Sequence, residues 1–289
     1  MNFRTDLALE KREALGREIP KGVSSEEFKK GGAVFTKIKV TDENGAKALG
    51  KPVGTYITAE VEPLTKRNSA DSELIEAIGE EIRGLLPEDG TVLVVGLGNT
   101  DITPDALGPK SADMILATRH IGAEVAKSVG LGELRPVACV TPGVLGKTGL
   151  ETAETVRGVV CEVKPACVIA IDALAARRLS RLGNTVQISD TGISPGSGVG
   201  NTRFALSNET VGAPVISMGV PTVVDVATLT ADLCENVNVN FRDDGENMIV
   251  TPREIDLVTE RAAEIVALSL NKALQPHLSV DEIMMLVGN

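Results

Sequence analysis

Two carboxylates, Asp105 and Asp172, sit where the sequence can put them to chemical use. Asp105 lies in "VVGLGNTDITPDALGP", Val94 to Pro109, after a run that reads as a buried strand, and Asp172 ends the apolar run "ACVIAID". Residues so far apart in sequence meet when both end neighbouring strands. Like charges held close push one pKa up, so one carboxylate can act as base on a water while the other, protonated, supplies a proton to a leaving amine. A coupled pair titrates as a unit, and the sequence assigns neither role. The glycine turn does not favour a nucleotide: Gly96 and Gly98 are followed by Asp101 where a dinucleotide fingerprint needs its third glycine. Each aspartate also has a plain structural use. Asp105, after Pro104, can face a helix N-terminus, and Asp172 can cap a following helix.

Other loops carry polar groups toward the same sheet edge. In "SDTGISPGSGVGN", Ser189 to Asn201, Gly192, Gly196, Gly198 and Gly200 allow close backbone approach, and their N–H groups, with the neighbouring Ser194, are candidates for holding an oxyanion. "TPGVLGKTGLETAE" adds Thr141, Lys147 and Thr148. The four cysteines, Cys139, Cys161, Cys167 and Cys234, form no CxxC pair and read as reduced core thiols. With only His120 and His277 and no HExxH, the chain offers no imidazole zinc site, and no metal or other cofactor is expected.

The elements that must position these groups alternate. A hairpin is predicted from "AVFTKIKV" and "GTYITAEV" after about thirty polar residues that are irregular or helical, and an amphipathic helix over "SADSELIEAIGEEIRGLLPEDG" capped by Asp71 or Ser72. Then follow strand "TVLVVGL", helix "KSADMILATRHIGAEVAKSVG", strand "RPVACVT", helix "LETAETVRGVVCEVK", strand "ACVIAID", helix "ALAARRLSRLG" and strand "NTVQISD". "PREIDLVTERAAEIVALSLNKAL" and "SVDEIMMLVG" close the chain as helices. The pattern predicts an α/β fold: a mostly parallel sheet with helices on both faces, an N-terminal β extension over about 30–65 and C-terminal helices over about 252–288. In such sheets the chemistry belongs beyond the carboxyl ends of the strands. Lys and Arg number 29 against 40 Asp and Glu, a net charge of −11, which argues against direct nucleic-acid binding and against anionic membranes. The charged N-terminus lacks a signal-peptide core and no apolar run reaches the roughly 18 residues of a membrane span, so a cytoplasmic protein is expected.

Together "RTDLALE", "VGLGNTDITPDALGP", "TPGVLGKTGLETAE", "IDALAARR", "QISDTGISPGSGVGN" and "GVPTVVD" closely resemble the germination protease family of spore-forming bacteria, endopeptidases that degrade small acid-soluble spore proteins. The resemblance implies a fold similar to hydrogenase maturation proteases, an aspartic-type mechanism with Asp105 and Asp172 catalytic, and residence in the spore core. It implies a homotetrameric zymogen activated by cleavage between Asp6 and Leu7, with residues 1–6 a short propeptide and 7–289 a single α/β peptidase domain. Thr5 to Glu10 resembles the sequence the family cuts, where Glu usually precedes the bond, so the chain carries its own pseudo-substrate. An acidic residue before the bond and another beyond it call for cationic subsites, for which Lys147, Arg177, Arg178 and Arg203 are the candidates. One departure stands out: Ser194 occupies the histidine position of the family's "TGIHPGSG" loop. Two other readings compete. One is a metal-dependent maturation-type peptidase with Asp105 and Asp172 as ligands; the other is a non-enzymatic ligand-binding assembly.

Overall fold

The computed structural model describes residues 4–16, 18–66, 71–196, 204–233 and 248–288. The chain opens with helix α1 (Ala8–Ala14), then strands β1 (Val23–Lys30) and β2 (Ala33–Val40). Helix α2 (Glu43–Leu49), capped by the Asp42 side chain at the Gly45 N–H, leads to β3 (Gly54–Glu60). Helix α3 (Ser72–Arg83) is capped by Asp71, as its sequence predicts, and precedes β4 (Val92–Gly96). A 3-10 turn, Thr103–Asp105, leads into α4 (Leu107–Ala112), followed by α5 (Ala123–Ser128), β5 (Val137–Val140), α6 (Leu145–Thr148) and α7 (Thr152–Val163). Next come β6 (Cys167–Ala176), a turn at Leu179–Arg181, β7 (Thr185–Ser189), α8 (Asn208–Val211) and β8 (Val215–Asp225). The chain ends with α9 (Val226–Leu233), β9 (Ile249–Val250), α10 (Ile255–Leu274) and α11 (Val280–Val287).

Among the described residues nine strands form one sheet, in the order β1-β2-β3-β7-β8-β6-β4-β5 with β9 beside β8. The α/β class and the covered faces match the sequence pattern, and the sheet itself is mixed. Strands β5, β4, β6 and β8 run parallel, and β7, β3, β2 and β1 continue the same sheet antiparallel. Side-chain alternation then sorts the core. On one face Val94, Ile169 and Ile171 pack with Leu74 and Ile78 of α3 and Val266 of α10. On the other, Val95 and Ala170 meet Val156 of α7, while Ile38 and Tyr56 meet Ala8 of α1 and Leu49 of α2. Between these two ends the same face carries Leu7 against Leu174, Ala176 and Val224.

Four local expectations change. Residues 23–30 form a strand, since the mixed sequence "VSSEEFKK" is held by pairing along the whole of β2. The β2–β3 pair forms antiparallel as the hairpin reading expects, but its turn-rich connection holds a helix. The predicted helix over "KSADMILATRHIGAEVAKSVG" breaks after α4, because the Asn271 side chain takes over the backbone: it accepts from the Leu116 N–H (2.9 Å) and donates to the Met114 carbonyl (2.8 Å). "ALAA" continues β6 instead of starting a helix, because Ala173 to Ala176 pair with Val220 to Val224 of β8. Tertiary pairing outweighs the small helix preference of alanine. No helix among the described residues is long and apolar enough to cross a membrane.

Candidate active site

Asp172 lies within β6, not at its end, and is 5% exposed. It pairs with Gly219 of β8, and Gly219 pairs with Gln187 of β7, so the three residues form one row across the sheet. Residues in one row project to one face, and the middle member has no side chain. Asp172 and Gln187 therefore flank a trough on the second face, about 10 Å apart across two strand spacings, with the Leu174 side chain against Gly219 between them. One Asp172 carboxylate oxygen accepts the Ala173 N–H at 2.9 Å.

Asp105 reaches the same place from the end of β4. The glycine turn serves to present this residue: Gly98, at φ +119°, packs so tightly that a Cβ there would lie 2.0 Å from the Asp105 carbonyl oxygen. The Asn99 N–H donates to that carbonyl (3.0 Å), and the Asp105 N–H donates to Ile102 (2.8 Å). Two hydroxyls pin the turn from outside. Thr222 of β8 donates to the Pro104 carbonyl (2.7 Å) and Thr259 of α10 to the Thr103 carbonyl (3.3 Å). Asp105 and Asp172 both line a cavity of about 260 Å³, and Asp6 lines it with them. A second cavity of about 230 Å³ adjoins across Asp6 and Asp172 and reaches Lys51 and Gln187.

The N-terminal segment is laid across this face. Leu7 is fully buried among Leu174, Ala176 and Val224. The Asp6 N–H donates to the Ala175 carbonyl (2.9 Å), and the Asp6 carboxylate accepts the Ala175 N–H (2.8 Å). The Asp6 carbonyl accepts from Lys51 Nζ (2.8 Å) and Gln187 Nε2 (3.0 Å), and Gln187 Oε1 accepts the Ala8 N–H (2.7 Å). Loss of water around Lys51 lowers its pKa, against which the Asp6 charge acts. Glu10, 1% exposed, accepts the N–H groups of Arg177 (2.6 Å) and Arg178 (2.9 Å) and lies 3.5 Å from the Arg181 guanidinium.

The cations named from sequence are placed differently. Arg177 and Arg178 meet Glu10 through their backbones, while their side chains go to Asp232 (2.9 Å) and Glu13 (3.5 Å). Exposed Lys147 pairs with Asp101. The buried cation beside Glu10 is Arg181, which also grips Glu13 at 2.7 and 2.9 Å. Its sequence signal, a third arginine after "ARR", is weak. Lys51 and Gln187 carry none, because only the fold brings them to Asp6. Gly192, Ser194 and Gly196 line the second cavity, but the Gly192 N–H is committed to the Val215 carbonyl (3.1 Å) and does not face the trough as a free donor. Gly198, Gly200, Arg203 and Cys234 lie outside the described residues. Burial raises the Cys139 and Cys167 thiols to about 11, which leaves them protonated and inert near neutral pH, whereas Cys161 is exposed.

A hydrogenase maturation protease from Thermococcus kodakarensis aligns with a TM-score of 0.36 and 19% identity, over 66% of this chain and 98% of its own. Germination proteases from Caldanaerobacter subterraneus subsp. tengcongensis, Clostridium tetani and Priestia megaterium are 44%, 41% and 36% identical. The alignments cover 99%, 98% and 97% of this chain and 98%, 98% and 95% of those proteins. The sequence model of the family described as "Germination protease" matches residues 5–244, the span that holds Asp6, Asp105 and Asp172. On that match and these identities, the chain is a protease and belongs to the germination protease family.

Proposed function

We propose that this protease is an endopeptidase that hydrolyses small acid-soluble spore proteins, cutting after an acidic residue, and that it is made as a zymogen opened by cleavage between Asp6 and Leu7. One observation carries the reading: Asp105, Asp172 and Asp6 share the wall of one cavity. In this mechanism one of the two carboxylates takes a proton from water, whose oxygen attacks the carbonyl carbon of the acidic residue itself. The other returns a proton to the amine as the C–N bond breaks, leaving a free carboxylate and a new N-terminus. The docked segment supports the substrate preference, since Asp6 and Glu10 each meet N–H donors at fixed positions along β6 and beyond it. Assembly as a homotetramer in the spore core belongs to the same reading.

The test uses the chain beginning at Leu7 and the peptide Thr-Glu-Phe-Ala-Ser-Glu, with products read by mass spectrometry with and without EDTA. Cleavage after the first Glu is expected to survive EDTA and to fall about 10²- to 10⁴-fold in Asp105→Asn and in Asp172→Asn. Loss with EDTA would move the carboxylates onto a metal. Cleavage unchanged in both variants would remove them from the chemistry.

A further inference from the structure

The Asp6 carbonyl oxygen is held by two side-chain donors at once, Lys51 Nζ at 2.8 Å and Gln187 Nε2 at 3.0 Å. A backbone carbonyl needs one partner to be satisfied, and neighbouring main chain is the common source. Here both donors come from elsewhere in the fold, Lys51 between α2 and β3 and Gln187 from β7. The orientation of the Gln187 amide is fixed by its other end. Its oxygen faces the Ala8 N–H, which can only donate, so its NH₂ must face Asp6. One glutamine thus grips the carbonyl before Leu7 and the N–H after it, and the Asp6-Leu7 peptide bond is set in register over the sheet.

That register places the bond beside the aspartates. Gln187 and Asp172 stand on either side of Gly219 in one row, and Lys51, Gln187, Gly219, Asp172 and Asp6 line one cavity. We propose that Lys51 and Gln187 are the oxyanion donors of this protease: they bind the oxygen of the carbonyl being cleaved, with Asp6 standing in for the acidic residue of a substrate. The inference rests on the two-aspartate reading above and replaces the glycine loop as the source of these donors. When water adds to the carbonyl carbon, the oxygen gains a full negative charge and each hydrogen bond becomes charge-assisted. Preorganised donors in a water-poor site are strongest against such a developing charge, and an ammonium more so than an amide. The ammonium donates throughout and gives up no proton to the substrate; when the C–N bond breaks, the oxygen it holds becomes one oxygen of the new carboxylate.

The experiment follows self-cleavage of the full chain at Asp6-Leu7 by mass spectrometry as a first-order rate, for wild type, Lys51→Met, Lys51→Arg, Gln187→Met, Asp105→Asn and Asp172→Asn. Amide hydrogen exchange across residues 5–14 is measured in each, because these contacts also hold the segment down. Lys51→Met and Gln187→Met are each expected to slow cleavage about 10²- to 10³-fold, with exchange of the segment rising far less and Lys51→Arg restoring much of the rate. Cleavage at the wild-type rate in both methionine variants, with the aspartate variants inactive, overturns the donor assignment and leaves the two-aspartate reading intact. A loss of rate no larger than the loss of exchange protection also overturns it, making the pair a docking contact only. If wild type leaves Asp6-Leu7 intact, or if the aspartate variants cleave normally, the underlying reading falls and the donors with it.

Discussion

Glu13 shows how a single pair can tie the N-terminal segment to the site. Arg181 is 5% exposed and donates to both Glu13 oxygens, at 2.9 and 2.7 Å, while also lying 3.2 Å from Glu60 and 3.5 Å from Glu10. The hydrogen bonds from Arg181, partly opposed by burial, hold the Glu13 carboxyl below its ordinary 4.5, and the bound carboxylate in turn raises the pKa of the guanidinium. A depressed carboxyl stabilises the docked form above its free pKa and loses that contribution as pH falls through the lowered value. Docking of residues 4–14 is therefore expected to be constant well above the ordinary 4.5 and to weaken as pH falls below it through the lowered value, read as lost amide-exchange protection in that segment. The Glu13→Gln variant removes the titrating group, so its exchange should already be faster at pH 6 and should change less on acidification. An identical acid profile in wild type and variant would remove Glu13 from the linkage.

The Thr103–Asp105 turn is a three-residue element that owes its place to neighbours on two other elements. Thr222 of β8 is fully buried and donates to the Pro104 carbonyl. Thr222→Val keeps the shape and removes the hydroxyl, leaving that carbonyl unpaired, at a cost of about 1–3 kcal/mol. Urea unfolding should register this loss, and peptide cleavage should fall through kcat more than KM, because the turn carries Asp105 and not the substrate. An unchanged kcat would mean the turn is held adequately by Thr259 and its own backbone. Much of this architecture was legible beforehand: β4, β6, α3, α7 and α10 follow from apolar periodicity and caps, and Asp105 and Asp172 do line one cavity, although Asp172 sits inside β6 and not in a turn at its end. What the sequence hid is non-local. Strand β1 reads as polar because it is an edge strand partnered only by β2, and the tail of β6 reads as helix because alanine prefers it and only β8 says otherwise. Lys51, Gln187 and Arg181 have no local signature, since each acquires its role only when the N-terminal segment is laid across the sheet.

That segment completes the molecule's second face. Helices α7 and α8 cover one end and α1 and α2 the other, and residues 4–7 run between them over the cavity wall. Arg4 extends the contact to Asp225 (3.1 Å) and Thr228 (3.2 Å) at the far edge. With the segment in place, the acidic position beside Asp172 is filled by Asp6 and the carboxylate pocket of Arg177, Arg178 and Arg181 by Glu10. Under the proposed function a substrate of the same pattern would compete for the same donors, and the uncut chain is expected to be self-inhibited. Leu7 is the apolar anchor of this arrangement, fully buried against Leu174, Ala176 and Val224. Leu7→Ala forfeits about 2–5 kcal/mol of that packing, and a local segment answers by lifting off before the sheet unfolds. The uncut Leu7→Ala chain is thus expected to cleave an added Thr-Glu-Phe-Ala-Ser-Glu peptide at least about tenfold faster than uncut wild type, with faster exchange over residues 5–14 and little change in global unfolding. Faster exchange without faster cleavage would separate the segment from the inhibition, and would place the barrier to activity elsewhere in the molecule.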